Sequence, residues 1–200
     1  MDMINNCRVY DTFNSIRASG YPMKAYYDEK VGEKELTVQD FNRAGALAGR
    51  DSSEGHDNFL SGILVSMDIT ATKQWWAEWE RYHFQQIVSS QSTMHRLSQM
   101  QLDISCIKYT DPVIVNRLIE LQKRYNTNPT EENFLTLIYS CPSGLQLTAR
   151  VTTNYRQIKT IVKQRHNHRL PEWRQFCKEL PTKLMNYHEL IDGNGFTWTC

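Results

Sequence analysis

Apolar and polar residues alternate with two different periods along this chain, and the change of period marks its elements. Phe41, Ala44, Leu47 and Ala48 fall at helical spacing behind Thr37-Val38-Gln39-Asp40, a cap and an acidic first turn, and Gly49 can end that helix. Between Phe59 and Thr70 the period drops to two. Ile63, Val65, Met67 and Ile69 alternate with Leu64, Ser66, Asp68 and Thr70, which predicts a half-buried strand. Thr72 can then cap a helix carrying Trp75, Trp76, Trp79, Tyr82 and Phe84, an aromatic load that belongs in the core. Asp111-Pro112 reads as a cap and a first-turn proline. Val115, Leu118, Leu121 and Tyr125 follow in steps of three and four, so residues 112–126 are predicted as an amphipathic helix. Three more helices complete the reading: a shorter one over 130–139, one from near Thr153 through Tyr155, Ile158, Ile161, Val162 and Arg165, and one opened by Pro171 and running through Leu180. The fold class is α+β and helix-rich. No repeat, low-complexity tract or Pro/Gly-rich linker divides the sequence, so residues 1–200 are read as one domain with a polar loop around 49–58.

Composition narrows the classes of function. Two hundred residues can bury a substantial core without staples. Lys and Arg total 23 against 22 Asp and Glu, a net charge of +1, so no strong field favours a nucleic acid polymer or an acidic membrane as partner. The 40% hydrophobic fraction fits a soluble globular chain, and no stretch approaches the roughly 20 apolar residues that span a bilayer. The first seven residues carry neither a basic segment nor an apolar run, so they do not read as a secretory signal and a cytoplasmic protein is expected. Cys7, Cys106, Cys141, Cys177 and Cys200 are odd in number and scattered, with no C-x-x-C pair. Reduced thiols are therefore expected rather than a disulfide framework or a metal site, with Cys200 the most exposed.

Generic catalytic signatures are missing: there is no G-x-G-x-x-G after a strand, no G-x-x-x-x-G-K-[ST], no H-E-x-x-H and no G-x-S-x-G. Two polar concentrations remain. In Arg81–Arg96 the run Ser89-Ser90-Gln91-Ser92-Thr93 cannot pack as core, and its hydroxyls, with Arg96 and the amides of a new helix, are groups that hold a phosphate. The competing reading is a helix–helix connection in which serines act as caps. In Arg165–Arg174, three arginines and two histidines stand at a helix junction, able to grip an anion or stack on a flat heterocycle. A solvated basic turn at a helix C-terminus accounts for the same residues.

Taken in order, Gly55-His56-Asp57-Asn58-Phe59-Leu60, Arg81-Tyr82-His83-Phe84, Ser89-Ser90-Gln91-Ser92-Thr93-Met94-His95-Arg96 and the closing segment Arg165–Arg174 resemble the flavin-dependent thymidylate synthases, especially divergent, phage-type members. His83 falls on the central histidine of that family's R-H-R motif, Gln91-Ser92 on E-S and Glu172-Trp173-Arg174 on E-I-R, while Arg17-Ala18-Ser19 resembles its flavin-contacting R-x-S. Tyr82 and Phe84 stand where the family has arginines, Gln91 replaces the acid, and Met94 takes the place of a later arginine with Arg96 two positions on. The spacing from Arg165 to Glu172 is one residue short of the family pattern.

The resemblance implies a central β-sheet flanked by helices, assembled as a homotetramer with active sites between subunits, residues 165–174 of one facing Ser89–Arg96 of another. It implies conversion of dUMP to dTMP, with methylenetetrahydrofolate as carbon donor and NADPH-reduced FAD as hydride donor. Ser89, Ser90, Gln91, Ser92 and Arg96 would bind the nucleotide phosphate, and Arg174 would contact the nucleotide at the reacting centre. Ser19, His56, His83, Arg165, Asn167 and His168 would line the flavin. Each residue also has a plainer reading: Ser19 as a cap, His56 as a loop residue, His83 as a satisfied core histidine on the aromatic helix. Two other functions fit the same residues, a pyrimidine nucleotide hydroxymethylase and a degenerate, non-catalytic nucleotide-binding relative.

Overall fold

The computed structural model describes residues 2–103 and 107–196; Cys106 and Cys200 lie outside them. Strand β1 (Ile4–Tyr10) leads into helix α1 (Thr12–Ala18), and after two short 3-10 turns comes α2 (Val38–Ala48). Then follow β2 (Leu64–Thr72), α3 (Lys73–Trp79), β3 (Gln85–Ser90), α4 (Thr93–Arg96), α5 (Pro112–Thr127) and α6 (Glu131–Tyr139). The chain continues through β4 (Gln146–Asn154), α7 (Tyr155–Arg165), α8 (Pro171–Lys183) and α9 (Tyr187–Leu190). The strands form one sheet in the order β1-β2-β4-β3. Tyr155 N donates to Ile63 O at 3.0 Å, the Thr70 and Thr148 hydroxyls meet at 2.8 Å, and Lys73 N donates to Leu145 O at 3.0 Å. These partners move in opposite directions along β2 and β4, the antiparallel arrangement, and the α+β class with helices flanking an antiparallel sheet holds.

The described chain forms two compact units, and β2, β3 and β4 each run from one into the other. The first comprises residues up to 68, 84–86 and from 151 onward; the second, 69–83 and 87–150. In the first, the alternation of β2 buries Val65 and Met67, and α7 and α8 add Tyr155, Ile158, Ile161, Trp173 and Phe176, all fully enclosed. Glu179 on α8 accepts from the Met3 and Ile4 amides at 3.0 and 2.9 Å, fixing the start of β1. Gly193 has φ +72° and lies so close to α2 that a Cβ there would stand 2.5 Å from Gly49 Cα; glycine meets both demands. In the second unit, Leu97, Val115, Leu118, Leu121, Leu137 and Leu145 form one apolar cluster between α5 and α6.

Caps sit where the sequence puts them. Thr37 and Asp40 make a reciprocal capping box, which with Arg43 lowers the Asp40 carboxyl to about 2 despite its partial burial. Thr72 accepts from Trp75 N, Asp111 from Val113 N and Thr130 from Asn133 N. Several expectations need correction. Residues 58–62 form a 3-10 turn, so β2 starts at Leu64 rather than Phe59. The aromatic helix ends at Trp79: Trp75 and Trp79 stack at 5.1 Å in the core, whereas Tyr82 lies beyond the helix and Phe84 is exposed. Thr153 belongs to β4, whose alternate residues Ala149, Val151 and Thr153 are buried, and Asn154 caps α7. Helix α8 passes Leu180 and ends at Lys183, with Pro181 inside its last turn. Among the described residues, no helix is long and apolar enough to cross a membrane. Among the described residues Cys7, Cys141 and Cys177 form no disulfide, and burial pushes the Cys177 thiol up to about 11.

Candidate functional site

The serine-rich run is an edge strand and the turn beyond it, not a helix–helix connection. β3 pairs with β4 on one side and is last in the described sheet, and Ser89, Ser90 and Gln91 are exposed. Gln91 extends the ladder with both parts of the residue: its amide N donates to Thr148 O at 3.0 Å and its side-chain Oε1 accepts from Thr148 N at 2.8 Å. Ser92 caps the four-residue α4, accepting from His95 N at 3.3 Å, with its hydroxyl 2.9 Å from His95 Nδ1. Arg96 is exposed and donates to Gln99 Oε1 at 2.6 Å. Ser90 also borders a hollow of about 280 Å³ lined by Trp76, Ile87, Leu147 and Ala149 together with Lys73 and Glu80. Trp76 is fixed there by its indole N–H, which donates to Leu147 O at 3.1 Å. A mostly apolar lining with a few polar groups suits a small planar ring.

The second concentration is the junction of α7 and α8, as the sequence places it. The Arg165 guanidinium lies 4.9 Å over the ring of buried Trp173, and its Nη1 is 2.8 Å from His168 Nε2. His168 Nδ1 accepts from Leu170 N at 3.2 Å, which holds the imidazole on the turn. Arg174 is exposed, and its Nη1 donates to the carbonyls of His168 and Arg169 at 2.5 and 3.0 Å. A cation in the first turn of a helix opposes the dipole. These carbonyls, which end the preceding turn, supply the negative partner. Asn167 is exposed at the tip. Arg165, Asn167, His168 and Arg174 therefore share one short junction.

The remaining flavin candidates are spread over other elements. Ser19 is buried at the end of α1, donating to Ile16 O at 2.7 Å and accepting from Arg43 Nε at 3.1 Å. His83 is exposed in the loop between α3 and β3, off the helix, so the reading of it as a core histidine does not hold. His56 is exposed, its Nε2 3.8 Å from Glu54 Oε2. Ser89, Ser90, Gln91, Ser92, Arg96 and His83 belong to the second unit, and Ser19, His56, Arg165, Asn167, His168 and Arg174 to the first.

Sequence reasoning missed a charged centre beside His56. Asp57 is completely buried and receives Arg156 Nε at 3.0 Å, Lys159 Nζ at 2.9 Å and the Ser52 hydroxyl at 2.5 Å. Burial alone would raise its pKa, but Ser52, Lys159 and Arg156 outweigh that and hold it below the usual carboxylate range. Lys159 also donates to Ala48 O and Arg50 O, closing the C-terminus of α2. No local pattern announces this centre, because the partners are 99 and 102 residues away.

No family model matches the chain, and no curated protein matches it in sequence. Solved structures do match its architecture. A crystal structure of the flavin-dependent thymidylate synthase ThyX from Helicobacter pylori, complexed with FAD and dUMP, aligns with a TM-score of 0.74 over 96% of this chain and 98% of that one. The fold is that of a flavin-dependent thymidylate synthase. A second structure of the Helicobacter pylori enzyme with FAD and dUMP aligns at a TM-score of 0.70 with the same coverage. Sequence identity is 13% and 15% respectively. This chain thus shares the synthase fold over nearly its whole length at low sequence identity.

Proposed function

We propose that this protein is a flavin-dependent thymidylate synthase that converts dUMP to dTMP, with methylenetetrahydrofolate as carbon donor and NADPH as reductant of FAD. The observation that carries the reading is the end-to-end synthase fold, whose solved neighbours hold FAD and dUMP, in a chain whose Ser90 borders an apolar hollow lined by Trp76. The donor set at the α7–α8 junction fits an anionic dinucleotide: a guanidinium, an exposed amide and an imidazole stand within four residues, the guanidinium held over the Trp173 ring and the imidazole by the Leu170 amide. Arg165, Asn167 and His168 would hold FAD there, His83 and His56 adding imidazoles from their loops. Bound FAD supplies hydride transfer.

The chain's own contribution is binding and orientation. Ser89, Ser90 and Ser92 offer hydroxyls to a phosphate and Arg96 offers a charge, while the hollow lined by Trp76, Ile87, Leu147 and Ala149 offers apolar surface to a planar base. Arg174, already turned onto two carbonyls, presents its remaining N–H groups to the nucleotide. The assembly is a homotetramer in which residues 165–174 of one subunit meet Ser89–Arg96 of another, and light scattering should return a mass near four chains. The hydroxymethylase reading keeps the same binding residues and differs in product. One observation favours the non-catalytic alternative: the side chains of Ser19, Gln91, Ser92 and Arg174 all serve internal bonds.

Titration of the purified protein with FAD, followed by flavin fluorescence, separates these readings. Saturable quenching and formation of dTMP from dUMP are expected; absence of flavin binding leaves the non-catalytic relative, and a hydroxymethylated product identifies the other enzyme. Arg174→Ala should weaken dUMP binding roughly ten- to a hundredfold by loss of a charge-assisted bond. It should also lower stability by about 1 kcal/mol, because the His168 and Arg169 carbonyls lose their donor. Calorimetric titration alongside urea denaturation measures both, and unchanged dUMP affinity would remove Arg174 from the site.

A further inference from the structure

The C-terminal end of α2, the turn after it and one face of α7 enclose a cleft of about 700 Å³ in the first unit, lined by Gly49, Arg50, Asp51, Ser52, Lys159, Thr160, Lys163 and Gln164. None of these residues carries a role in the proposed synthase reaction. Its charge is unbalanced. Lys163 pairs with Asp51 at 2.8 Å, and each holds the other in its charged form. Behind them one carboxylate, Asp57, serves two cations, Lys159 and Arg156, so that cluster retains one positive charge. The three donors of Lys159 are spent on Ala48 O, Arg50 O and Asp57. Its ammonium is therefore a fixed charge rather than a mobile gripping group. Arg50 adds a second excess charge: its side chain is exposed, and its guanidinium makes no hydrogen bond or ion pair among the described residues. The cleft thus has an excess of two positive charges, one fixed in its wall and one on an unengaged planar fork.

We propose that this cleft is a second anion site that takes a phosphate monoester, with Arg50 as its principal ligand and the Lys159–Asp57–Arg156 cluster supplying background charge. A phosphate monoester carries close to two negative charges at neutral pH, which matches that excess. A guanidinium pairs with two phosphate oxygens at once. Lys163 can add a bond as its ammonium turns from Asp51, to which it is joined by one exposed contact. Two ligands in the synthase reaction carry this group, the mononucleotide with its 5′-phosphate and NADPH with its 2′-phosphate; NADH and FAD carry none.

Calorimetric titration of the full-length protein with inorganic phosphate, without flavin, tests the site independently of the synthase reading. Saturable binding is expected at millimolar phosphate, weakened roughly ten- to a hundredfold in Arg50→Ala and largely restored in Arg50→Lys. Asp51→Asn keeps the polar cap of the 3-10 turn and removes a negative charge, so it should bind phosphate more tightly than wild type. This change of opposite sign cannot arise from misfolding. For the phosphate whose binding needs Arg50, displacement by NADPH but not NADH assigns the cleft to the dinucleotide, and displacement by dUMP assigns it to a mononucleotide bound apart from Ser89–Arg96. Equal phosphate affinity in wild type and Arg50→Ala, or displacement by neither ester, overturns the proposal.

Discussion

Two polar segments of this chain, the acidic loop 49–58 and the hydroxyl-rich run Ser89–Arg96, are held in opposite ways. In the loop, one buried carboxylate collects Ser52, Arg156 and Lys159, and Lys159 in turn closes α2, so the turn is fixed from behind by α7. In the serine run, the contacts are short in range or lie along a strand: Gln91 with Thr148, Ser92 with His95, Arg96 with Gln99. The difference teaches that a run of polar residues marks a place where ligand chemistry is available, while pinning of a loop depends on a buried charge with distant partners. A preorganised wall follows from the buried carboxylate, and an adaptable edge from its absence in the serine run.

The largest expected effect tests the pinned side. Asp57→Ala leaves Arg156 and Lys159 facing a buried gap without their carboxylate, and breaking a buried pair in this way costs about 3–5 kcal/mol. Urea denaturation measures it. A loss below about 1 kcal/mol would mean that water replaces the carboxylate easily and that the loop is no more fixed than the serine run.

Acid titration sharpens the same contrast. The folded-state pKa of Asp57 lies below its unfolded value, so its contribution is fully present above about pH 4 and is lost as pH falls through the lower folded value. Stability of the wild type should therefore fall with decreasing pH below about 4. Asp57→Asn, with no proton to take up there, should show a shallower fall over that window. Parallel curves for the two proteins would assign the acid sensitivity to other carboxylates, of which Asp40 and Asp51 are also depressed by their partners.

The sequence makes some of this legible and leaves the rest hidden for physical reasons. Where a cap and a 3.6-residue period coincide, as at Thr37–Asp40 and Asp111-Pro112, helix starts are read to within a residue. β2 is legible because one face is fully buried, giving strict alternation. β1 and β3 are edge strands with exposed residues on both faces, so Asn5, Asn6, Gln85 and Gln86 leave no period to read. In β4 the buried face is Ala149, Val151 and Thr153, too small and too polar to stand out from its neighbours. For the candidate site, the α7–α8 junction is local in sequence and its residues do gather there. Asp57 pairs across about half the chain, and a spacing that long carries no periodic signal.

The smallest effect belongs to the adaptable side and asks whether Gln91 is part of the strand or part of the nucleotide site. Its Oε1 accepts from Thr148 N, standing in for the carbonyl of one more ladder residue, while its own backbone amide satisfies Thr148 O. Gln91→Ala removes the side-chain bond alone. The freed Thr148 amide is near solvent at an exposed position, so the cost should be about 0.5–1 kcal/mol, the low end for a hydrogen bond. Gln91→Glu keeps an acceptor at the same place and should be close to neutral in stability. It also places a negative charge beside Ser90 and Ser92, where the synthase pattern carries an acid. If the serines bind the dUMP phosphate as proposed, that charge either repels the phosphate or is directed elsewhere by the Thr148 amide. Because the amide at Thr148 holds the acceptor oxygen, the second outcome is expected: Gln91→Glu retains dUMP affinity within a few-fold, whereas a loss well beyond tenfold, read by calorimetry, would mean that the added charge acts on the bound phosphate.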